Sequence, residues 1–187
     1  MQIFPFEFEE DAPRLMVLEG HQFTNDPDDL GGPTKFGIST LAYPDIDIEH
    51  LTWLGAKGLY YRDYWQPARC AEIKNPDIRF QLFESAVHMD PPFQASGRPR
   101  RSIKIAQYAL LLFGESITVD GKIGPQTIGL LNSYPHQEAL FWHMQCLQYV
   151  ALLIGSGNEE EVVALVRERL PQLKKYLRGW MRRIAPI

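Results

Sequence analysis

The sequence predicts a mainly α-helical globule with a polar loop between its first helices. Apolar residues recur at helical spacing through most of the 187 residues, and clusters of Gly, Pro, Asn and Asp separate these segments. With 45% hydrophobic and 22% charged residues, the composition is that of a folded chain and excludes a disordered one. The length suits one domain or two small ones.

The first helix is expected to end at Glu19. The apolar run Leu15–Leu18 leads to this carboxylate, and Gly20 follows it as a C-cap residue. Glu19 therefore lies at a junction between helix and loop, with an apolar wall on one side. Burial against such a wall raises the pKa of a carboxyl group, which is what a general acid requires.

The segment 25–34, NDPDDLGGPT, is predicted to be a loop that carries chemistry. Its density of turn-forming residues excludes a helix, and three of its residues are carboxylates. Gly31 and Gly32 allow the backbone to approach a ligand closely, and Thr34 offers a hydroxyl that can hold a water or a carboxylate.

Two more helices are expected before a central break. Thr52 is the predicted cap of a helix that runs to about Trp65, and the next helix spans 77–89. The residues expected to face the core are Leu54, Leu59, Tyr60, Tyr61 and Tyr64 in the first of these, and Phe80, Phe83, Ala86 and Val87 in the second. The stretch 90–99 contains consecutive prolines and a Ser-Gly pair, so it is the expected boundary between segments 1–90 and 91–187.

The second segment is also predicted to be helical. The expected helices cover 100–113, a short stretch from Pro125, 136–154, 159–170 and a last one that Pro171 opens. Several of these helices are apolar enough to need a shared core, so both segments are expected to pack as one globule.

The charge is unevenly distributed. The net charge is −4, yet the region 161–187 has seven basic residues against two acidic ones. Such a cluster could face an anionic wall polymer, or it could be the solvated face of a helix. Nothing else in the sequence resembles a nucleic-acid-binding module, so no nucleic-acid partner is expected. The basic residues are Arg167, Arg169, Lys174, Lys175, Arg178, Arg182 and Arg183.

Cofactors and membrane insertion are not expected. Cys70 and Cys146 lie far apart, which favours two buried thiols over a disulfide and gives no metal-ligand spacing. No run approaches the roughly twenty apolar residues of a membrane span, and the first residues do not read as a secretory leader. We therefore expect synthesis in the cytoplasm without a standard signal peptide.

The Glu19 segment resembles a known family. Glu19-Gly20-His21 followed by DLGGPTKFGI, from Asp29 to Ile38, resembles the E-G-G and D-x-G-G-x-T-x-x-G-I pattern of glycoside hydrolase family 108. These are bacterial and phage N-acetylmuramidases, also labelled secretion activators. Two departures stand out: His21 replaces the second glycine, and the interval from Glu to Asp is about one residue longer, so Asp28 competes with Asp29.

Further stretches carry the same resemblance over almost the whole chain. YRDYW at 61–65 resembles the family's Y-x-x-Y-W, and FESAVH at 83–88 resembles its F-D-A-A-V-N, with Glu and His in place of Asp and Asn. DGKIGPQT at 120–127 resembles a D-G-x-x-G-x-x-T pattern in the family's predicted peptidoglycan-binding segment, and the stretch 175–183 resembles a closing G-W-x-x-R. The resemblance implies a lysozyme-like helical globule with its active-site loop between the first helices.

The resemblance also implies a reaction. The substrate would be the β-1,4 bond between N-acetylmuramic acid and N-acetylglucosamine in peptidoglycan. Glu19 would be the general acid, Asp29 or Asp28 the second carboxylate, and Thr34 the residue that positions the water or the Asp. The candidate substrate contacts are Gly31, Gly32, His21, Tyr64, Trp65 and His88. For the two aromatic rings and His88, the more common interpretation of such residues is a structural role in packing.

Three alternatives remain at this level. A lytic transglycosylase would use one carboxyl group and form an anhydro product. A non-catalytic peptidoglycan-binding or secretion-assisting protein would fit if His21, Glu84 and His88 mark a degenerate cleft. A toxin-like effector would need an immunity partner. In each case the site of action would be the periplasm or cell wall, reached through a holin, a secretion apparatus or lysis.

Overall fold

The computed structural model describes residues 4–25, 31–92 and 99–153, with side chains omitted at 149 and 150. The predicted mainly α fold is confirmed. The chain divides into two compact units, Met1–Arg98 and Pro99–Ile187. The expectation that both segments pack as one globule stays a prediction.

The described part of the first unit contains three α-helices, a small hairpin and two short helical turns. The elements are α1 (Phe6–Glu19), β1 (Thr34–Lys35), β2 (Ile38–Ser39), α2 (Trp53–Tyr60), a π-helix (Tyr61–Trp65), a 3-10 turn (Cys70–Glu72) and α3 (Pro76–Met89). The described helices of the second unit are α4 (Arg101–Leu112), α5 (Pro125–Ser133) and α6 (Gln137–Leu153).

Local sequence signals account for the helix ends. The Thr52 side chain accepts a hydrogen bond from the Gly55 amide at 3.2 Å, so it caps α2 as predicted. Asn75 caps α3 by accepting from two amides, and Pro76 occupies the first helical position. Gly20 ends α1 with a φ of +78°, a conformation that glycine adopts without strain.

An aromatic core and a buried ion pair hold α1 against α3. Phe8 packs edge-to-face on Trp65 and on Phe83, with ring centroids 5.6 and 5.9 Å apart. The Arg79 guanidinium donates to Asp11 at 2.7 Å, and the Trp65 indole donates to the same carboxylate at 3.3 Å. Burial raises the pKa of the fully buried Asp11, and these donors offset part of its lost hydration while they tie α1 to α3 and to Trp65.

The second helix does not run regularly to Trp65. Its last five residues form a π-helix, in which the Gln66 amide donates to the Tyr61 carbonyl. The three consecutive residues Asp63, Tyr64 and Trp65 are all buried in it. Of the predicted core residues, Leu54 is wrongly placed, since it is 52% exposed.

The second unit is organised by one buried amide. The Gln107 side chain of α4 donates to Asp120 Oδ1 at 2.9 Å and to the Thr127 hydroxyl at 3.3 Å. Its oxygen accepts from the amides of Asp120 and Gly121, at 3.1 and 2.9 Å. A Cβ at Gly121 would lie 2.7 Å from Pro99, so this turn requires glycine.

Several predictions have definite outcomes, and others fall outside the described residues. Both cysteines are free; Cys70 is buried as predicted, whereas Cys146 is exposed. Among residues 4–25, 31–92 and 99–153, no helix is long and apolar enough to cross a membrane. The predicted helices at 159–170 and from Pro171, and the basic cluster, lie outside the described residues.

Candidate active site

Glu19 occupies the last position of α1, and its side chain is only 17% exposed. Burial raises the pKa of its carboxyl group. The Oε1 atom is buried without a hydrogen-bond partner. A carboxyl group in such surroundings keeps its proton to a higher pH than a hydrated one, as a general acid must.

His88 and Glu84 of α3 are the charged neighbours of Glu19. His88 Nε2 lies 3.4 Å from Glu19 Oε1, and His88 Nδ1 lies 3.3 Å from Glu84 Oε1. The positive charge of His88 lowers the pKa of Glu19 and the negative charge of Glu84 raises it, but burial is the largest effect. The pKa of the Glu19 carboxyl group is therefore raised overall, and the imidazole ring of His88 faces its buried oxygen.

A tight hairpin covers another side of Glu19. The strands β1 and β2 pair Thr34 with Ser39, and the turn residues Phe36 and Gly37 have φ values of +54° and +72°. A Cβ at Gly37 would lie 2.6 Å from Glu19 Oε2. Glycine is thus required at position 37 both by its backbone conformation and by the closeness of the carboxylate.

Tyr60 ties this turn to α2. Its hydroxyl donates to the Phe36 carbonyl at 2.5 Å. Burial raises the pKa of the Tyr60 hydroxyl, and the charge of Glu19 raises it further, so the group remains a neutral donor. A Cβ at Gly37 would also lie 2.7 Å from this hydroxyl, which shows how closely the turn, the tyrosine and the carboxylate pack.

The ends of the polar loop are fixed by backbone hydrogen bonds. Thr24 and Thr34 exchange two of them, at 2.8 and 2.9 Å, and the Leu41 amide donates to the Gly31 carbonyl at 3.1 Å. Backbone hydrogen bonds therefore fix Thr24 and Gly31, which lie on either side of residues 26–30. Asp28 and Asp29, the two candidates for the second carboxylate, lie outside the described residues.

Thr34 and the two glycines lie at the base of this loop. The Thr34 hydroxyl donates to the Gly32 carbonyl at 2.9 Å, which leaves its oxygen able to accept a hydrogen bond. Gly31 and Gly32 are half-buried, and Gly32 has a φ of +70°. Thr34 begins the hairpin that packs on Glu19, and the two glycines immediately precede that hairpin.

The remaining candidates separate into two groups. His88 faces Glu19 directly, and His21 is exposed two residues after it. Tyr64 and Trp65 are 6% and 1% exposed, so the structure favours packing over sugar contact for both rings. Among the described residues, no group of His, Cys, Asp and Glu is arranged to hold a metal ion.

Sequence reasoning did not find the contributions of Gly37 and Tyr60. Gly37 was part of the motif, but its contact with the carboxylate depends on how the hairpin folds onto α1. Tyr60 was expected only as a core residue, since the period of a helix indicates which face is buried and not which polar tip finds a partner. The i, i+4 spacing of Glu84 and His88 was the available signal for their contact.

Comparisons with known proteins cover both units. Residues 12–89 match the family Glycosyl hydrolase 108, and residues 101–185 match the family Predicted Peptidoglycan domain. The chain is similar to a solved structure of Brucella abortus SagA, with a TM-score of 0.61 and 20% identity over 90% of this chain and 92% of that one. At that identity the likeness shows the fold alone. No curated protein matches the chain.

Proposed function

We propose that this chain is an N-acetylmuramidase with Glu19 as its general acid. The chain belongs to the Glycosyl hydrolase 108 family over residues 12–89, and it carries a predicted peptidoglycan domain over residues 101–185. The two matches support a peptidoglycan hydrolase. What we propose beyond these matches is which bond is cleaved and which residues cleave it. The observation that carries it is the buried Glu19 carboxyl group with its raised pKa.

The proposed reaction begins with the proton of Glu19. It passes to the glycosidic oxygen as the bond from that oxygen to the anomeric carbon of N-acetylmuramic acid breaks. Positive charge then develops on the sugar ring and needs a second carboxylate. Asp29, or Asp28, is proposed for this role because the loop that carries both is joined to the hairpin beside Glu19.

Thr34, Gly31 and Gly32 are proposed to shape the other side of the reaction. The Thr34 hydroxyl oxygen would accept a hydrogen bond from the attacking water, since its own hydrogen is donated to Gly32. The glycines would let the glycan approach the backbone. Carboxyl groups about 5–5.5 Å apart would retain the anomeric configuration, and about 6.5–9.5 Å would invert it.

The proposed site of action is the bacterial cell wall. The predicted peptidoglycan domain supports peptidoglycan as the partner. The exposed His21 is proposed to contact the glycan at the entrance to the site. Delivery by a holin, a secretion apparatus or lysis, and control by an immunity protein, remain further hypotheses.

Digestion of purified peptidoglycan tests the proposal. Glu19→Gln removes the acidic proton and nearly preserves the shape, so we expect the release of soluble fragments to fall about 100- to 10,000-fold. Glu49→Gln makes the same change in charge at an exposed position and is the matched control. Mass analysis of the fragments should find reducing muramic acid ends with the wild type and with the control.

Other results would select one of the alternatives. Anhydro-muramic ends would identify a lytic transglycosylase. Walls that bind the wild-type protein and release no fragments would identify a non-catalytic binding protein. Full turnover by a folded Glu19→Gln variant would remove Glu19 from the mechanism.

A further inference from the structure

A row of polar side chains runs along one face of α3, from the buried Gln81 to the exposed His88. Gln81, Glu84, Ser85 and His88 are spaced at helical intervals, so they lie along one face. Gln81 is buried, and its amide donates to Glu84 Oε2 at 3.0 Å and to the Ser85 hydroxyl at 3.2 Å. Glu84 is therefore held at one oxygen by Gln81, while its other oxygen faces His88.

The surroundings of His88 determine where its ring hydrogens lie. Nδ1 is 3.1 Å from the Glu84 backbone carbonyl and 3.3 Å from Glu84 Oε1. A carbonyl oxygen only accepts hydrogen bonds, so Nδ1 carries a hydrogen. The ring is thereby oriented with Nε2 toward Glu19 Oε1, and a proton bound at Nε2 makes the ring a cation that faces this oxygen.

The burial that raises the pKa of Glu19 also destabilises the carboxylate that remains after proton transfer. Once Glu19 has given its proton away, a negative charge remains where hydration is poor, and Oε1 has no hydrogen-bond partner in the resting state. The nearest ring nitrogen, His88 Nε2, lies 3.4 Å away. Hydrogen bonds in resting active sites are often long and shorten when charge develops.

We propose that His88, oriented by Glu84, is a positioning residue that stabilises the Glu19 carboxylate formed when the acid transfers its proton to the leaving oxygen. This inference rests on the proposed role of Glu19 as the acid. In this role the imidazolium form of His88 supplies a positive charge and an N–H donor to Oε1 as the negative charge appears there, and no proton passes from the ring to Glu19.

The charged and titratable groups around the acid set the expected signs. Within the described residues, Glu19 is faced by His88 and Glu84 from α3 and by the hydroxyl of Tyr60 from α2. Tyr60 stays neutral, so it contributes no charge. Removing the His88 charge should therefore raise the pKa of Glu19, and removing the Glu84 charge should lower it.

Carbon NMR of the Glu19 carboxyl group tests these signs without any substrate. The full-length chain, labelled at its glutamate carboxyl carbons, is titrated as wild type, His88→Asn and Glu84→Gln, with the Glu19 signal assigned by its loss in Glu19→Gln. We expect the Glu19 midpoint to move up in His88→Asn and down in Glu84→Gln. His50→Asn is the matched control, because His50 pairs with Asp47 in an exposed His–carboxylate pair, and it should leave the midpoint unchanged.

Shifts of the Glu19 midpoint in opposite directions would identify an effect of charge. A loss of packing at either residue of α3 would not be expected to raise the midpoint in one variant and lower it in the other. An unmoved midpoint in His88→Asn, or a downward one, would overturn the proposal. If His88→Asn does not fold, the Glu19 midpoint in Glu84→Gln decides instead. A midpoint that is unchanged or raised in Glu84→Gln would overturn the proposal.

Activity provides the second readout. On peptidoglycan, His88→Asn should lower kcat about 10- to 100-fold and leave KM within about twofold, because the stabilised charge appears only during the reaction. The alkaline limb of its pH profile should move upward with the Glu19 midpoint. An inactive wild type would refute the proposed function and leave the NMR result standing, whereas an active wild type with unchanged kcat in His88→Asn would refute this inference alone.

Discussion

The polar clusters around Glu19 and Gln107 differ in how completely their hydrogen bonds are satisfied. The Gln107 side chain is 1% exposed, and both its nitrogen and its oxygen have partners in the turn at 120–122. The Glu19 side chain is 17% exposed, and its Oε1 atom is buried without a hydrogen-bond partner. A satisfied buried amide stabilises and specifies a fold, whereas an unsatisfied buried carboxyl group costs stability.

The two sequence motifs therefore differ in what their polar side chains do. The D-G-x-x-G-x-x-T pattern at 120–127 is accounted for by structure: Asp120, Gly121 and Thr127 each contact Gln107. The pattern that begins at Glu19 leaves its carboxyl group with a raised pKa and places a glycine and a histidine against it. A motif therefore indicates chemistry where its polar atoms are left available, and scaffolding where they are paired.

The largest effect is expected from placing a carboxylate in the satisfied cluster. Gln107→Glu removes the donor to Asp120 and Thr127 and puts two carboxylates side by side, so unfolding free energy should fall by about 3 kcal/mol or more. Denaturant unfolding followed by tryptophan fluorescence measures it. Gln66→Glu makes the same change at an exposed position and should stay within about 0.5 kcal/mol of the wild type. Equal effects at both positions would contradict the contrast.

Gly37→Ala should disturb the unsatisfied cluster next most strongly. The new Cβ would meet the Glu19 carboxylate and the Tyr60 hydroxyl and would be strained at a φ of +72°. A displacement of about 1 Å at the acid is expected to lower kcat/KM on peptidoglycan about 100-fold. Gly114→Ala has a comparably positive φ but nothing within 4 Å, so it isolates the strain and should retain activity. Similar activity losses in both variants would show that the contact with Glu19 does not matter.

The smallest effect is a gain in stability from Glu19→Gln. Because folding raises the pKa of Glu19, the folded state binds more protons than the unfolded state once the pH exceeds the unfolded value. Wild-type stability should therefore decrease as pH rises through the window from the ordinary to the raised pKa, and the Gln variant should lack this decrease. Thermal unfolding should show a higher Tm for Glu19→Gln at neutral pH and convergence in acid. A lower Tm at neutral pH would contradict the cost assigned to this carboxyl group.

Helix positions followed well from the sequence. Periodic apolar residues and the caps at Thr52 and Gly20 located the end of α1 and the start of α2. The hairpin was missed, because its turn places Phe36 in a left-handed conformation that bulky side chains rarely adopt, so only Gly37 signalled it. The π-helix was missed because periodicity over five residues does not reveal an extra residue in a turn.

The sequence by itself determined that Glu19 would end a helix, that a glycine-rich acidic loop would follow it, and that the chain would be mainly α. These features depend on near neighbours along the chain. Only the tertiary structure decided which groups surround the carboxylate, because His88 and Gly37 reach it from α3 and the hairpin. Burial and charge act through space, so the protonation of Glu19 is a property of the packed unit and not of its motif.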